Sequence, residues 1–104
     1  MFSAQFIFKP GEYDEEFHRL DQSIDAYAAT LPGFLGVERW VSVSEQSVRN
    51  SIYYFEDMET ITEFAKFTDH REAKSKVDRW YKGYRVVIAE VKHGYGDGRL
   101  ATIA

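Results

Sequence analysis

His18, His70 and His93 are the side chains of this chain best suited to move a proton near neutral pH. They lie far apart, with no HxxxH or HxH pairing, so no metal site is expected. There is no cysteine, which excludes disulfides, thiolate metal sites and a Cys nucleophile. No GxSxG elbow is present. The run Gly94-Tyr-Gly-Asp-Gly98 has no helical pattern after it and reads as a tail, not a phosphate loop. An enzyme built on this chain would work without a recognisable cofactor site. The other chemical resource is aromatic: 8 Phe, 7 Tyr and 2 Trp. Rings bury much apolar area, and Tyr and Trp add a polar tip, which suits a dense core or a ring-lined pocket. The densest cluster is Trp80-Tyr-x-x-Tyr84.

The elements that would position these residues follow from periodicity. Phe2, Ala4, Phe6 and Phe8 alternate with Ser3, Gln5, Ile7 and Lys9, which predicts a first strand ended by Pro10-Gly11. Glu12 to Leu31 reads as a helix, with Phe17, Leu20, Ile24, Tyr27, Ala28 and Leu31 on one face. Its other face carries Glu15, Glu16, Arg19, Asp21 and Asp25. Phe34 to Val43 and Arg49 to Phe55 read as an antiparallel hairpin. Trp40 shares a strand face with Glu38 and Ser42, and Tyr54 alternates with Ile52 on the side expected to face the helices. Glu38, Arg39 and Arg49 are expected to form cross-strand charge pairs. Asp57 is an N-cap candidate for a helix over 58–67, whose apolar face is Ile61, Phe64 and Ala65. A second helical piece, from His70, would bury Ala73, Val77, Trp80, Tyr81 and Tyr84 after a kink at Thr68. Arg85 to Tyr95 reads as the last strand, apolar on both sides.

The order β-α-β-β-α-β predicts an α+β, ferredoxin-like domain: a four-stranded antiparallel sheet with both helices on one face. Residues 1–95 would form it and 96–104 a C-terminal tail. The helices leave one sheet face open, and the simplest cover is a second copy of the chain, sheet against sheet, in a homodimer. The length of 104 residues fits one domain. A net charge of −4 argues against nucleic acid as a partner. No stretch approaches the ~20 apolar residues needed to span a bilayer, and no signal peptide is visible after Met1. No membrane partner is expected, and a cytoplasmic location is.

Four segments together resemble a known family: Leu31-Pro-Gly-Phe34, Ser51-Ile-Tyr-Tyr-Phe55 leading into Glu56-Asp57, Asp69-His70-Arg-Glu-Ala73, and Trp80-Tyr-x-x-Tyr84. In order and spacing they resemble the antibiotic biosynthesis monooxygenase (ABM) family of the dimeric α+β barrel superfamily, from about Phe6 to Tyr95. The resemblance implies a pocket between the helices and the sheet, and activities that include cofactor-independent oxygenation of aromatic or quinol-type substrates. The haem-degrading branch carries an Asn on strand one, a Trp early in the second helix and a haem-ligating His further along it. Here those helix positions fall at Phe64 and near Lys74, and strand one has no Asn, so haem is not expected.

With no cofactor and no metal expected, the chemistry that fits is self-reduction of O₂ by a deprotonated phenol, hydroquinone or anthrone. The protein would supply a base, an aromatic slot and donors for the developing anion. His70 is the candidate catalytic base, and Trp40, Tyr54, Phe64, Trp80 and Tyr84 are candidate contacts to a small aromatic substrate. The competing readings are structural: His70 as an exposed first-turn residue, and the aromatic stripe as ordinary core. A non-catalytic small-molecule binder or stress-associated protein of the same fold is the alternative function, with haem binding or degradation behind it.

Overall fold

The computed structural model describes residues 1–68, 78–101 and 103. The elements run β1 (Phe2–Pro10), α1 (Glu15–Thr30), β2 (Phe34–Val41), β3 (Arg49–Phe55), α2 (Met58–Thr68) and β4 (Tyr81–Glu90). The sheet order is β2-β3-β1-β4, every pairing antiparallel. This is the ferredoxin-like βαββαβ arrangement expected from the element order.

Several boundaries differ from the sequence pattern, among them the end of β2, at Val41 rather than Val43. α1 begins at Glu15 rather than Glu12, because Asp14 is extended and its carboxylate accepts the Phe17 N–H at 2.8 Å. Residues 11 and 12 are held elsewhere: Gly11 N–H donates to the Trp80 carbonyl at 2.6 Å and Glu12 N–H to that of Arg79 at 3.3 Å. β4 begins at Tyr81, not Arg85. Tyr81 and Tyr84 are therefore strand residues, set opposite Pro10 and Phe8 of β1. Rings pack well on a pleated surface, and the spacing of 80, 81 and 84 does not by itself separate helix from strand. β4 ends at Glu90, opposite Phe2, the first residue of β1. The expected cap of α2 is in place, with Asp57 Oδ1 accepting from Thr60 N–H at 2.8 Å and Thr60 Oγ1 at 2.7 Å. Residues 78–80 are helical. His70, Ala73, Val77 and the charge-rich run to Lys76 lie outside the described residues.

Register fixes which side chains meet the helices. Ala4 stands opposite Tyr53 and Ile88, Phe6 opposite Ser51 and Val86, and Phe8 opposite Arg49 and Tyr84. Because strand side chains alternate, these share one face and Gln5, Ile52, Tyr54 and Val87 share the other. Tyr53, not Tyr54, thus faces the helices. It joins Ala28, Phe55, Ile61 and Phe64 in the buried core, with Phe2, Ile24, Tyr27 and Phe34 packed around them. On the opposite sheet face, Gly36 occupies a bulge with φ +151°. A Cβ there would come within 2.8 Å of the Ile103 side chain, so the C-terminal segment reaches β2. Trp40, three residues before Val43 on the same hairpin, is 59% exposed.

Candidate functional site

β1, β3, β4, α1 and α2 line an open cavity of about 430 Å³ between the helices and the sheet, with Tyr84, Val86 and Ile88 at its exposed side. Its floor is Phe6 and Phe8, stacked with centroids 5.0 Å apart. Tyr81 meets both rings edge-on, at 5.1 and 5.3 Å, and Tyr84 lies 5.6 Å from Phe6. The helical wall brings Phe17, Leu20, Ile24, Ile61 and Phe64. Trp80 closes one end, 2% exposed, its ring edge-on to Phe17 at 5.4 Å. The alternating Phe residues of β1 and the three-four spacing of α1 converge because sheet and helix turn their apolar faces toward each other.

Trp80 is fastened in place through its backbone and its neighbour. Its carbonyl accepts from Gly11, and Arg79 lies over the indole at 5.5 Å while pairing with Asp14 at 2.8 Å. The indole Nε1 is buried with no hydrogen-bond partner among the described residues.

One side wall carries a polar network. Asp25 accepts from Tyr53 Oη at 2.7 Å and from Arg39 Nη2 at 2.9 and 2.8 Å. Arg39 was expected to pair across strands; it reaches α1 instead, because its strand position lies on the helix-facing side, near Tyr53. Burial pushes the Tyr53 phenol well above the usual range, and its bond to Asp25 pushes it further. Burial likewise raises Tyr81, with Tyr13 and Asp21 adding to it. Both phenols are neutral donors at physiological pH.

Asp21 is the charged residue on the cavity lining, among the described residues. Its carboxyl is raised by burial first and by Asp25 second, against the lowering influence of Arg39 and His18. Asp21 is exposed, as expected of the polar face of α1, and it also borders the cavity, because it falls four residues after Phe17 and three before Ile24. That spacing was the available signal, an acidic residue in an apolar register. Tyr53 has no such signal, since Tyr53 and Tyr54 alternate equally well; Tyr81 lines the cavity with Trp80 and Tyr84, from a strand rather than the expected helix.

Phe64, Trp80 and Tyr84 meet at the cavity. Trp40 and Tyr54 do not: Trp40 pairs with Asn50 and Tyr54 with Gly36 and Ser3, on the far side of the sheet. The Tyr54 phenol is pushed up to about 12 by burial there and by a hydrogen bond to Glu38. The candidate base His70 lies outside the described residues. No group of three or more His, Asp or Glu side chains is placed to hold a metal among the described residues, and no described helix is long and apolar enough to cross a membrane.

The ferredoxin-like α+β fold is that of ABM-type proteins, as comparison with known proteins shows. SnoaB, a cofactor-independent oxygenase from Streptomyces nogalater, superposes in a mutant form with a TM-score of 0.68 at 11% identity, covering 89% of this chain and 94% of that one. An antibiotic biosynthesis monooxygenase superposes with a TM-score of 0.59 at 13% identity over 88% of this chain and 98% of its own. At such identities these likenesses concern the fold. In sequence, the chain is 35% identical over 92 residues to the uncharacterised protein YqjZ of Bacillus subtilis (strain 168), spanning 86% of this chain and 78% of that one. The monooxygenase af470-like family matches residues 6–89, and the chain belongs to that family.

Proposed function

We propose that the protein is a cofactor-independent monooxygenase acting on a small aromatic or quinol-type substrate in the cavity beneath α1 and α2. The observation that carries this reading is the cavity itself: about 430 Å³, walled by Phe6, Phe8, Phe17, Phe64, Trp80 and Tyr81, in a chain of the monooxygenase af470-like family. Flat rings fit such walls, and the edge-to-face contacts already present show the geometry a bound ring would extend. For an anthrone-type substrate the balance is R₂CH₂ + O₂ → R₂C=O + H₂O. Loss of one proton gives a carbanion that passes an electron to O₂. The resulting radical and superoxide combine to a peroxide anion, which takes the proton back from the base and eliminates water. The protein's part is to receive the proton, hold the ring and exclude bulk water. His70 is the proposed base, on the ground that an imidazole is half-protonated near neutrality.

Two copies joined through the open sheet face complete the proposal. Trp40 at 59% exposure and the half-buried Ile7, Ile52 and Val87 give that face an apolar character that favours association. The test is oxygen uptake by the purified protein with a panel of anthrones and hydroquinones, no metal or flavin added. Uptake matched one-to-one by carbonyl product is expected for an anthrone substrate; no uptake across the panel overturns the reading.

A further inference from the structure

Neither α1 nor α2 covers the far face of the sheet, yet that face is not bare. Register sets Gly36 beside Tyr54, Tyr54 beside Ser3 and Ser3 beside Ala89, so one row of residues crosses the whole sheet on that face. Gly36, Ser3 and Ala89 carry little or no side-chain volume, which leaves room above the row for another piece of chain. Ser3 is only 3% exposed there. The side chain that enters this room is Ile103. Its Cδ1 stands 2.8 Å and its Cγ1 3.3 Å from the place a Cβ of residue 36 would take. Gly36 has a φ of +151°, which disfavours any side chain, so the seat stays open for Ile103.

The segment that brings Ile103 to β2 leaves from β4, at the other edge of the sheet. Val91 N–H donates to the Met1 carbonyl at 2.9 Å, which holds the segment beside β1 at its start. From β4 to β2 is about 14 Å, three strand spacings. The stretch from Val91 to Ile103 could extend to roughly 40 Å. The slack shows in its residues: Tyr95 and Leu100 are exposed, and Gly94, Gly96 and Gly98 lie between the two ends. Contacts along the way are local, with Lys92 paired to Glu90, His93 against Tyr95 and Arg99 paired to Asp97. A segment held at its start and at Ile103, with slack between, opens at low cost in local stability.

We propose that the segment from Val91 to Ile103 is a strap that competes with a second copy of the chain for the far face of the sheet. With Ile103 seated at Gly36, the row Gly36–Tyr54–Ser3–Ala89 is occupied. A second copy laid sheet against sheet needs the same row, so the two occupants exclude each other and pairing waits on the strap to open. The proposal rests on the reading of this face as the surface that joins two copies. A loose strap is enough to control pairing, because each copy must open. Closed in about three molecules of four, it leaves one in four competent and weakens pairing of two copies about sixteenfold.

Sedimentation equilibrium of the whole chain, as parent, I103S and I103V, tests this. I103S removes the side chain that seats at Gly36, and I103V keeps most of it. The expected result is a dimer dissociation constant about tenfold lower in I103S than in the parent, with I103V within about threefold of the parent. Trp40 gives an independent readout. It lies on the same face but pairs with Asn50, away from the Gly36 row, so its emission reports the second copy rather than the strap. That emission should move to shorter wavelength at a lower protein concentration in I103S than in the parent. Equal dissociation constants for parent and I103S overturn the strap and leave the homodimer standing. Weaker pairing in I103S overturns it as well, since Ile103 would then belong to the interface. Monomers throughout, in parent and I103S alike at millimolar concentration, overturn the strap together with the reading of this face as the joining surface.

Discussion

The Tyr53 phenol donates to Asp25 Oδ1 at 2.7 Å and so ties the middle of β3 to α1 across the cavity wall. Arg39 Nη2 completes the junction from β2, within 2.9 Å of the same carboxylate oxygen. Three elements thus meet at one carboxylate, and the wall's position depends on it. Removing the hydroxyl in Y53F leaves Asp25 with Arg39, so no buried charge is orphaned. The expected cost is about 1 kcal/mol, in the range of a single hydrogen bond, because Asp25 is partly open to water. Urea denaturation of the two proteins under identical conditions measures it. An unchanged midpoint would show that the bond contributes nothing.

Trp80 poses a different question. Its ring is buried at 2% exposure, yet its Nε1–H has no partner among the described residues. W80A removes the whole ring and should cost about 3–5 kcal/mol. W80F removes part of the ring volume but also the unsatisfied donor, which itself costs about 1–3 kcal/mol where it stands. The two effects oppose, so W80F should lie much nearer to the parent protein than to W80A. Thermal unfolding of the three proteins decides this; equal destabilisation by both substitutions would mean that the indole N–H is not a liability.

The path from sequence to this site was clear in some places and closed in others. Strand β3 and the order of elements were legible because period-two alternation and Pro-Gly stops act locally. The start of β4 was not, since Trp80, Tyr81 and Tyr84 satisfy a helical spacing as readily as a strand's pairing with β1, and only the pairing partners Phe8 and Pro10 decide it. Tyr53 and Tyr54 alternate equally well with their neighbours. Which of them faces the helices depends on register against Ala4 and Ser3, a tertiary fact. Trp40 was set correctly beside Glu38, but a strand pattern cannot say which sheet face a helix will cover. Asp21 was readable, since its spacing from Phe17, Ile24 and Ala28 lies in the sequence itself.

Gly11 lies where β1 hands over to α1, under the segment that carries Trp80. A Cβ there would come within 2.8 Å of the Arg79 carbonyl oxygen and 2.9 Å of the Trp80 carbonyl carbon. Backbone atoms cannot rotate away as a side-chain end can. G11A should therefore push the 79–80 segment off β1, lengthen the 2.6 Å bond from Gly11 to Trp80, and cost about 1–3 kcal/mol. Loss of stability accompanied by a red shift of the Trp80 emission, measured in the W40F background, is the expected signature. Parent-like stability and emission would show that the loop absorbs the methyl group.

Asp21 gives stability a dependence on pH whose sign can be worked out. Its carboxyl is raised in the folded protein by burial and by Asp25, so between its unfolded and folded values the native state binds more protons than the unfolded chain. Stability from this group therefore falls as pH rises through that window and stays low above it. At neutral pH the native state carries the full burden of the ionised group. D21N removes it, and the i,i+4 repulsion with Asp25 with it, so the variant should be more stable than the parent by a few tenths of a kcal/mol or more at pH 7. As pH drops through the carboxylate range the parent's Asp21 takes up a proton, and the gap should close. Asp57 works in the opposite direction, since the bonds it accepts from Thr60 hold its carboxyl below the usual range and its contribution is lost in acid. That contribution is common to both proteins, so the difference between them isolates Asp21. Denaturation curves of parent and D21N at pH 7 and at pH 3 make the comparison. A gap that is constant with pH, or that widens in acid, would contradict a raised carboxyl at the cavity wall.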